Sequence, residues 1–227
     1  MELSDDIATI PCPDPYHCPC HMETLTCIDQ LFVYKEQHLD ECFDEVCCGI
    51  NANNRYKVKD DIGNNVFSIL EDSDYCSRHL TEGRSFIMNV INHSNQEIIR
   101  LVHPFVCSTC SHELEVQSPP GIASGHVWQN WHVCLPKFTV ENERGEPAFK
   151  IVGPCVPFTF YTDENFELVS LNGAAIDRPF GKIFKPFSCC GLNGGADFVD
   201  FIYYDKPKSP VRRVLHLFGS AAAIKFV

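Results

Sequence analysis

Cysteine is the residue through which this 227-residue chain could do chemistry: there are fourteen, and their spacing sorts them into groups. Cys107-Ser108-Thr109-Cys110-Ser111-His112 is a CxxC followed by a histidine, half of a zinc site that distant ligands would complete. Cys12, Cys18, Cys20 and His21 could also hold zinc, although CxCH is not a common finger spacing. Together these give one reading, a zinc-binding, Cys-rich interaction domain. Cys47-Cys48 and Cys189-Cys190 are adjacent pairs, the first beside an amphipathic stretch and the second on a segment with Phe184 and Phe187, and such pairs suit thioester acylation. Cys134 and Cys155 stand singly and read as small buried hydrophobes. His132 invites a nucleophile and base pairing with Cys134, but on a strand residues i and i+2 share a face without touching, so it reads as a core histidine. No covalent chemistry, and hence no enzyme, is expected.

The elements that position these groups are β-strands. Phe138 and Val140 alternate with Lys137, Thr139 and Glu141; after the polar turn Glu143-Arg144-Gly145-Glu146, Phe149 and Ile151 alternate with Lys150 and Val152. Trp128 and Trp131 precede this hairpin as a hydrophobic wall. Residues 56–59 and 66–70 flank a polar turn, as do 86–91 and 97–102, and 157–161 and 166–171 around 162–165. Repeated strand, turn, strand units suggest a barrel or sandwich, since closure removes exposed edges. Residues 25–46 fit a helix in part, while Leu31-Phe32-Val33-Tyr34 fits a strand equally well. Residues 1–24 hold Pro11, Pro13, Pro15 and Pro19 and few large apolar groups, and read as a flexible tail before a single domain over 25–227.

Charge narrows the function classes. A net charge of −12 argues against nucleic acid as a partner and against anionic membranes, unless a local basic or acylated patch overcomes it. The acidic start Met1-Glu2-Leu3-Ser4-Asp5-Asp6 has no apolar signal core, so thiols rather than disulfides are expected.

The stretch Trp131-His132-Val133-Cys134-Leu135-Pro136-Lys137-Phe138-Thr139, with Pro119-Pro120-Gly121 before it and Lys150-Ile151-Val152-Gly153-Pro154-Cys155 after it, resembles the signature core of the phospholipid scramblase family. Ile28-Asp29-Gln30, Asn53-Asn54-Arg55-Tyr56, Glu71-Asp72-Ser73-Asp74-Tyr75-Cys76 and Asp163-Glu164-Asn165-Phe166-Glu167-Leu168 extend it in family order over residues 25–185. The resemblance implies a mainly β fold, a tubby-like antiparallel barrel around a C-terminal apolar helix, and calcium-activated, ATP-independent movement of phospholipids between leaflets. It implies palmitate on Cys107 and Cys110, where the family carries a denser cluster, with Cys189 and Cys190 as a second pair. The implied place is the cytoplasmic face of the plasma membrane, with a nuclear pool because Gly181-Lys182-Ile183-Phe184-Lys185 resembles the family's import segment. Those five residues by themselves read as a solvated loop.

The C-terminal part departs from the family. Where its calcium loop would stand, Asp197, Asp200 and Asp205 are the tentative Ca2+ ligands, interrupted by aromatics, with Gly194 and Gly195 ahead of them rather than within. By its residues this stretch reads as a strand with exposed acids. Ser209 and Pro210 open a helix over 210–227. Its apolar run from Val214 spans ~21 Å, short of the ~30 Å hydrocarbon core. The helix therefore lies inside the barrel, or at the interface with Arg212 and Arg213 on lipid headgroups. A non-transporting adaptor that binds headgroups or protein partners is the second function reading.

Overall fold

In the computed structural model the described residues are 28, 30–36, 53–73, 85–105, 113–155, 163–171, 178–186 and 198–203. They form twelve strands: β1 (Gln30–Glu36), β2 (Arg55–Asp60), β3 (Asn65–Asp72), β4 (Phe86–Ile91), β5 (Glu97–His103), β6 (Glu113–Gln117), β7 (Ala123–Asn130), β8 (Lys137–Asn142), β9 (Pro147–Val152), β10 (Glu164–Ser170), β11 (Pro179–Lys185) and β12 (Phe198–Tyr203). Every pairing is antiparallel between sequence neighbours, and β12 returns to pair with β1 through Leu31 opposite Phe201 and Val33 opposite Val199, so the ring of pairings closes. The mainly β, antiparallel class agrees with the sequence reading; residues 210–227 lie outside the described residues.

One face of each of β1 to β11 builds the core. Phe86, Met88 and Val90 of β4, Leu114 and Val116 of β6, Phe138 and Val140 of β8, Phe149 and Ile151 of β9, and Phe166 and Leu168 of β10 are buried in one cluster. The strict alternation breaks where two consecutive residues are buried, Val66-Phe67 and Ile98-Ile99. Both lie at register shifts, after Val58 in the β2–β3 pairing and after Val90 in the β4–β5 pairing. A bulge adds one residue to one strand and so restores the inward face.

Three hairpin turns use one solution. Asp60 and Asn142 end their strands and Asn92 follows the last residue of β4, and the side-chain oxygen of each accepts backbone N–H bonds two and four residues on, at 2.7–3.1 Å. The left-handed position each turn requires is filled by Gly63, Asn95 and Gly145. At Asp60 the side-chain hydrogen bond from Asn64 is the main cause holding the carboxyl below its ordinary value, against a smaller opposing effect of desolvation, and N–H groups of Asn64, Ile62 and Gly63 add to it. A depressed carboxyl stabilises the turn at pH above its ordinary value and loses that contribution as pH falls through the folded value. The protection factors of the Ile62 and Asn64 amides, measured against intrinsic exchange rates, are therefore expected to fall selectively in acid, and Asp60→Asn, which keeps the acceptor but not the charge, should abolish that fall.

Three readings change. Of the fourth hairpin, 157–161 lie outside the described residues, and β10 is hydrogen-bonded to β9 on one edge and to β11 on the other. Its turn reading failed at Glu164 and Asn165, which are already in the strand. Gly181-Lys182-Ile183-Phe184-Lys185 is no solvated loop but most of β11, with Gly181 and Ile183 buried. The helix or strand ambiguity at residues 31–34 resolves to strand β1, with Leu31 in the core.

Candidate functional site at one rim of the barrel

Antiparallel neighbours in a closed ring place all connections at two rims. The connections 61–64, 92–96, 118–122, 143–146 and 171–178 leave from one, the turn rim; the connections 37–54, 73–85, 104–112, 131–136, 153–163 and 186–197 leave from the other, the loop rim. Cysteine distribution follows this division. Cys42, Cys47, Cys48, Cys76, Cys107, Cys110, Cys134, Cys155, Cys189 and Cys190 all belong to loop-rim connections, and no strand or turn-rim connection contains a cysteine.

The described part of the loop rim is apolar and exposed. Trp131 is 88% exposed and Val133 78%, both in the connection from β7 to β8, and Phe105, just past the end of β5, is 63% exposed. Local hydrogen bonds shape this loop. Nδ1 of His132 accepts the backbone N–H groups of Cys134 and Leu135 at 3.2 and 3.0 Å, which requires the ring proton to sit on Nε2. The loop is then tied to the barrel at Pro136, whose carbonyl accepts the N–H of Gly153 at 2.9 Å.

Three sequence readings change here. His132 is an exposed loop residue, not a core histidine on a strand, because its ring is committed to capping its own backbone. Trp128 and Trp131 form no common wall: Trp128 is half-buried on the outer face of β7, where its Nε1 donates to Glu141 at 2.9 Å, while Trp131 projects from the rim. Neighbouring His126 stacks against Trp128 at 6.4 Å and contacts Glu113 at 3.1 Å, fixing that outer patch. Cys134 and Cys155 are half-buried rather than in the core, and both are free thiols. Burial first, then the neighbouring Cys134 thiol, pushes the Cys155 thiol up.

The turn rim also exposes apolar residues, Ile62 at 82% and Ile122 at 60%, but these stand among acids. Asp61, Glu143 and Glu146 are exposed there, with Arg144 as the exposed cation of the same turn. Residues 131–133 of the loop rim carry no acid, while Asp163, at the end of the connection from β9 to β10, is exposed at that rim.

Of the residues expected to carry function, Asp200 is described, at the register position opposite Phe32 of β1 and Phe184 of β11. Cys107, Cys110, Cys189, Cys190, Asp197, Asp205, Arg212 and Arg213 lie outside the described residues, as do Cys12, Cys18, Cys20, His21 and His112. Among the described residues there is no cluster of three or more His, Cys, Asp or Glu able to hold a metal, and no helix long and apolar enough to cross a membrane. The loop rim itself was missed by sequence reasoning; the signal that could have found it was alternation between short polar turns and long cysteine-bearing connections.

Comparison with known proteins places the chain. The Scramblase family model matches residues 8–226. The chain belongs to the Scramblase family. It is 38% identical over 182 residues to phospholipid scramblase 1 of Rattus norvegicus, covering 78% of this chain and 52% of that protein. It is 39% identical over 183 residues to phospholipid scramblase 1 of Homo sapiens, covering 78% and 55%, and 38% identical over 177 residues to phospholipid scramblase 2 of Bos taurus, covering 75% and 58%. This scramblase-family chain thus spans little more than half the length of those relatives. No solved structure matches it.

Proposed function

We propose that this chain is a lipid-handling scramblase-family module that meets the bilayer with its loop rim and mediates calcium-activated, ATP-independent, bidirectional movement of phospholipids. The observation that carries the docking part is the coincidence, at one rim, of exposed Trp131, Val133 and Phe105 with every connection that carries a cysteine pair. Aromatic side chains favour the membrane interface. Palmitate on Cys107 and Cys110, with Cys189 and Cys190 as a further pair, adds about 0.8 kcal/mol per buried CH₂, and two chains make a stable anchor where one does not.

The segment 210–227 is assigned to the lumen. Eight strands already leave an interior just filled by side chains, and twelve enclose a wider one. Chain leaving β12 does so at the turn rim, and the small residues Gly219-Ser220-Ala221-Ala222-Ala223 suit passage back through a narrow space. Calcium is assigned to Asp197, Asp200 and Asp205, as a low-affinity site. Among these only Asp200 is described: the backbone of β12 around it is committed to ladders on both sides, so Asp200 is not part of a loop folded around an ion.

That commitment favours the second reading as well, an adaptor that binds lipid headgroups or protein partners without moving lipid. Fluorescent phospholipid movement in liposomes reconstituted with the purified chain separates the two. Movement that requires calcium and falls in Asp197→Ala/Asp200→Ala is expected for the scramblase; liposome-bound, folded protein without movement leaves the adaptor.

A further inference from the structure

The β8–β9 register brings together two thiols that the lipid function does not use. Lys137 is paired with Val152, and one step further the carbonyl of Pro136 accepts the N–H of Gly153 at 2.9 Å. Two residues beyond that hydrogen bond, past the end of the ladder, the two chains bring Cys134 and Cys155 to facing positions. Opposite positions of an antiparallel pair keep their Cα atoms ~4.5–5.5 Å apart, inside the ~4.4–6.8 Å that a disulfide requires. The two side chains are also neighbours: after burial, the nearby Cys134 thiol is the cause that pushes the Cys155 thiol up. Both are free and half-buried, within reach of a small reagent.

We infer that Cys134 and Cys155 are a reversible dithiol–disulfide site, a redox modification site whose co-reactant is a small-molecule disulfide such as oxidised glutathione. One thiolate attacks a sulfur of the reagent, forming a mixed disulfide and releasing one reduced thiol. The second thiolate then attacks the protein sulfur of that mixed disulfide, forming the Cys134–Cys155 bond and releasing the second reduced thiol. Two protein thiols are oxidised and one reagent disulfide is reduced to two thiols, so electrons and protons balance. The thiolate is the attacking species, and the raised Cys155 thiol makes the exchange slow near neutrality and faster in alkali.

The consequence lies in the loop between the two cysteines and the barrel. Reduced, the loop carrying Trp131 and Val133 is held near its base by the Gly153–Pro136 hydrogen bond and by the His132 cap. Oxidised, it is stapled covalently at Cys134 to the chain leaving β9. Any effect of this staple on lipid docking rests on the docking orientation proposed above; the site itself does not.

The test uses the full chain in glutathione redox buffers of graded ratio, quenched in acid, alkylated and mapped as peptides without reduction. The expected result is one cross-linked peptide joining Cys134 to Cys155, lighter than the two free peptides by two hydrogen atoms, with alkylation lost at both positions together and restored by dithiothreitol. In Cys134→Ser, Cys155 should be found alkylated or carrying glutathione, and no longer in an intramolecular cross-link. Independent alkylation of Cys134 and Cys155 in every buffer, or cross-links from each to other cysteines, would overturn the inference. Because the readout involves no membrane, neither result bears on the lipid function. A separate arm compares vesicle binding of the oxidised and reduced chains, and reads only the consequence for docking.

Discussion

Gly153→Ala is expected to destabilise the fold by about 3 kcal/mol, the upper end of what overpacking a core costs. A Cβ at this position would stand 2.5 Å from Cγ of Pro136 and 2.6 and 2.7 Å from Cε1 and Cδ1 of Phe166. Neither neighbour can yield cheaply. Pro136 is a buried rigid ring, and Phe166 is fully buried in the core. Relief therefore needs the backbone of Gly153 to withdraw, which breaks its hydrogen bond to Pro136 and frees the base of the 131–136 loop. Gly145→Ala is the control: its Cβ meets nothing within 4 Å, and its cost comes from the φ of +71° alone. That left-handed cost is about 1 kcal/mol. Denaturant midpoints at unchanged slope measure both. A Gly153→Ala variant no less stable than Gly145→Ala would mean that the contact of Pro136, Gly153 and Phe166 is not tight.

What was legible in the sequence followed from local rules. The β8–β9 hairpin announced itself by strict alternation either side of Glu143-Arg144-Gly145-Glu146, and the structure has the same face buried, Phe138, Val140, Phe149 and Ile151. The turns at Asp60 and Asn92 carried side chains that cap their own backbone, a signal confined to five residues. Where the reading failed, the deciding information was not local. Residues 181–185 resembled a loop because Gly181 and two lysines interrupt the apolar pattern, yet pairing with β10 and β12 holds them extended. β6 was overlooked because Glu113, Glu115 and Gln117 dominate its five residues, while two inward residues, Leu114 and Val116, suffice to seat it.

The candidate site was legible residue by residue but not as a place. Each cysteine pair could be read as an acylation candidate, and Trp131 as part of a conspicuous motif. Their common location is a property of ring closure and strand parity, because an even or odd strand number decides which rim a connection leaves from. The same parity brings Cys134 opposite Cys155, two residues that sequence reasoning treated separately as core fillers.

Trp131→Ser/Val133→Ser is expected to weaken binding of the unacylated chain to vesicles by about a hundredfold, which corresponds to about 3 kcal/mol of apolar burial lost from the two side chains. Using unacylated protein leaves the rim as the docking signal under test. Ile62→Ser/Ile122→Ser supplies the comparison, since it removes two exposed apolar side chains from the opposite rim. If the loop rim faces the bilayer, this second variant should bind as the unaltered chain does, and its acidic neighbours give a reason: Asp61, Glu143 and Glu146 would have to approach a negative surface for Ile62 and Ile122 to insert. Both variants should fold with unchanged denaturant midpoints, because exposed substitutions of this kind shift stability by less than about 0.5 kcal/mol. Equal losses in the two variants would mean that apolar exposure in general, not one rim, drives association. A loss confined to the Ile62→Ser/Ile122→Ser variant would turn the module over, placing the turn rim against the lipid and the cysteine connections away from it.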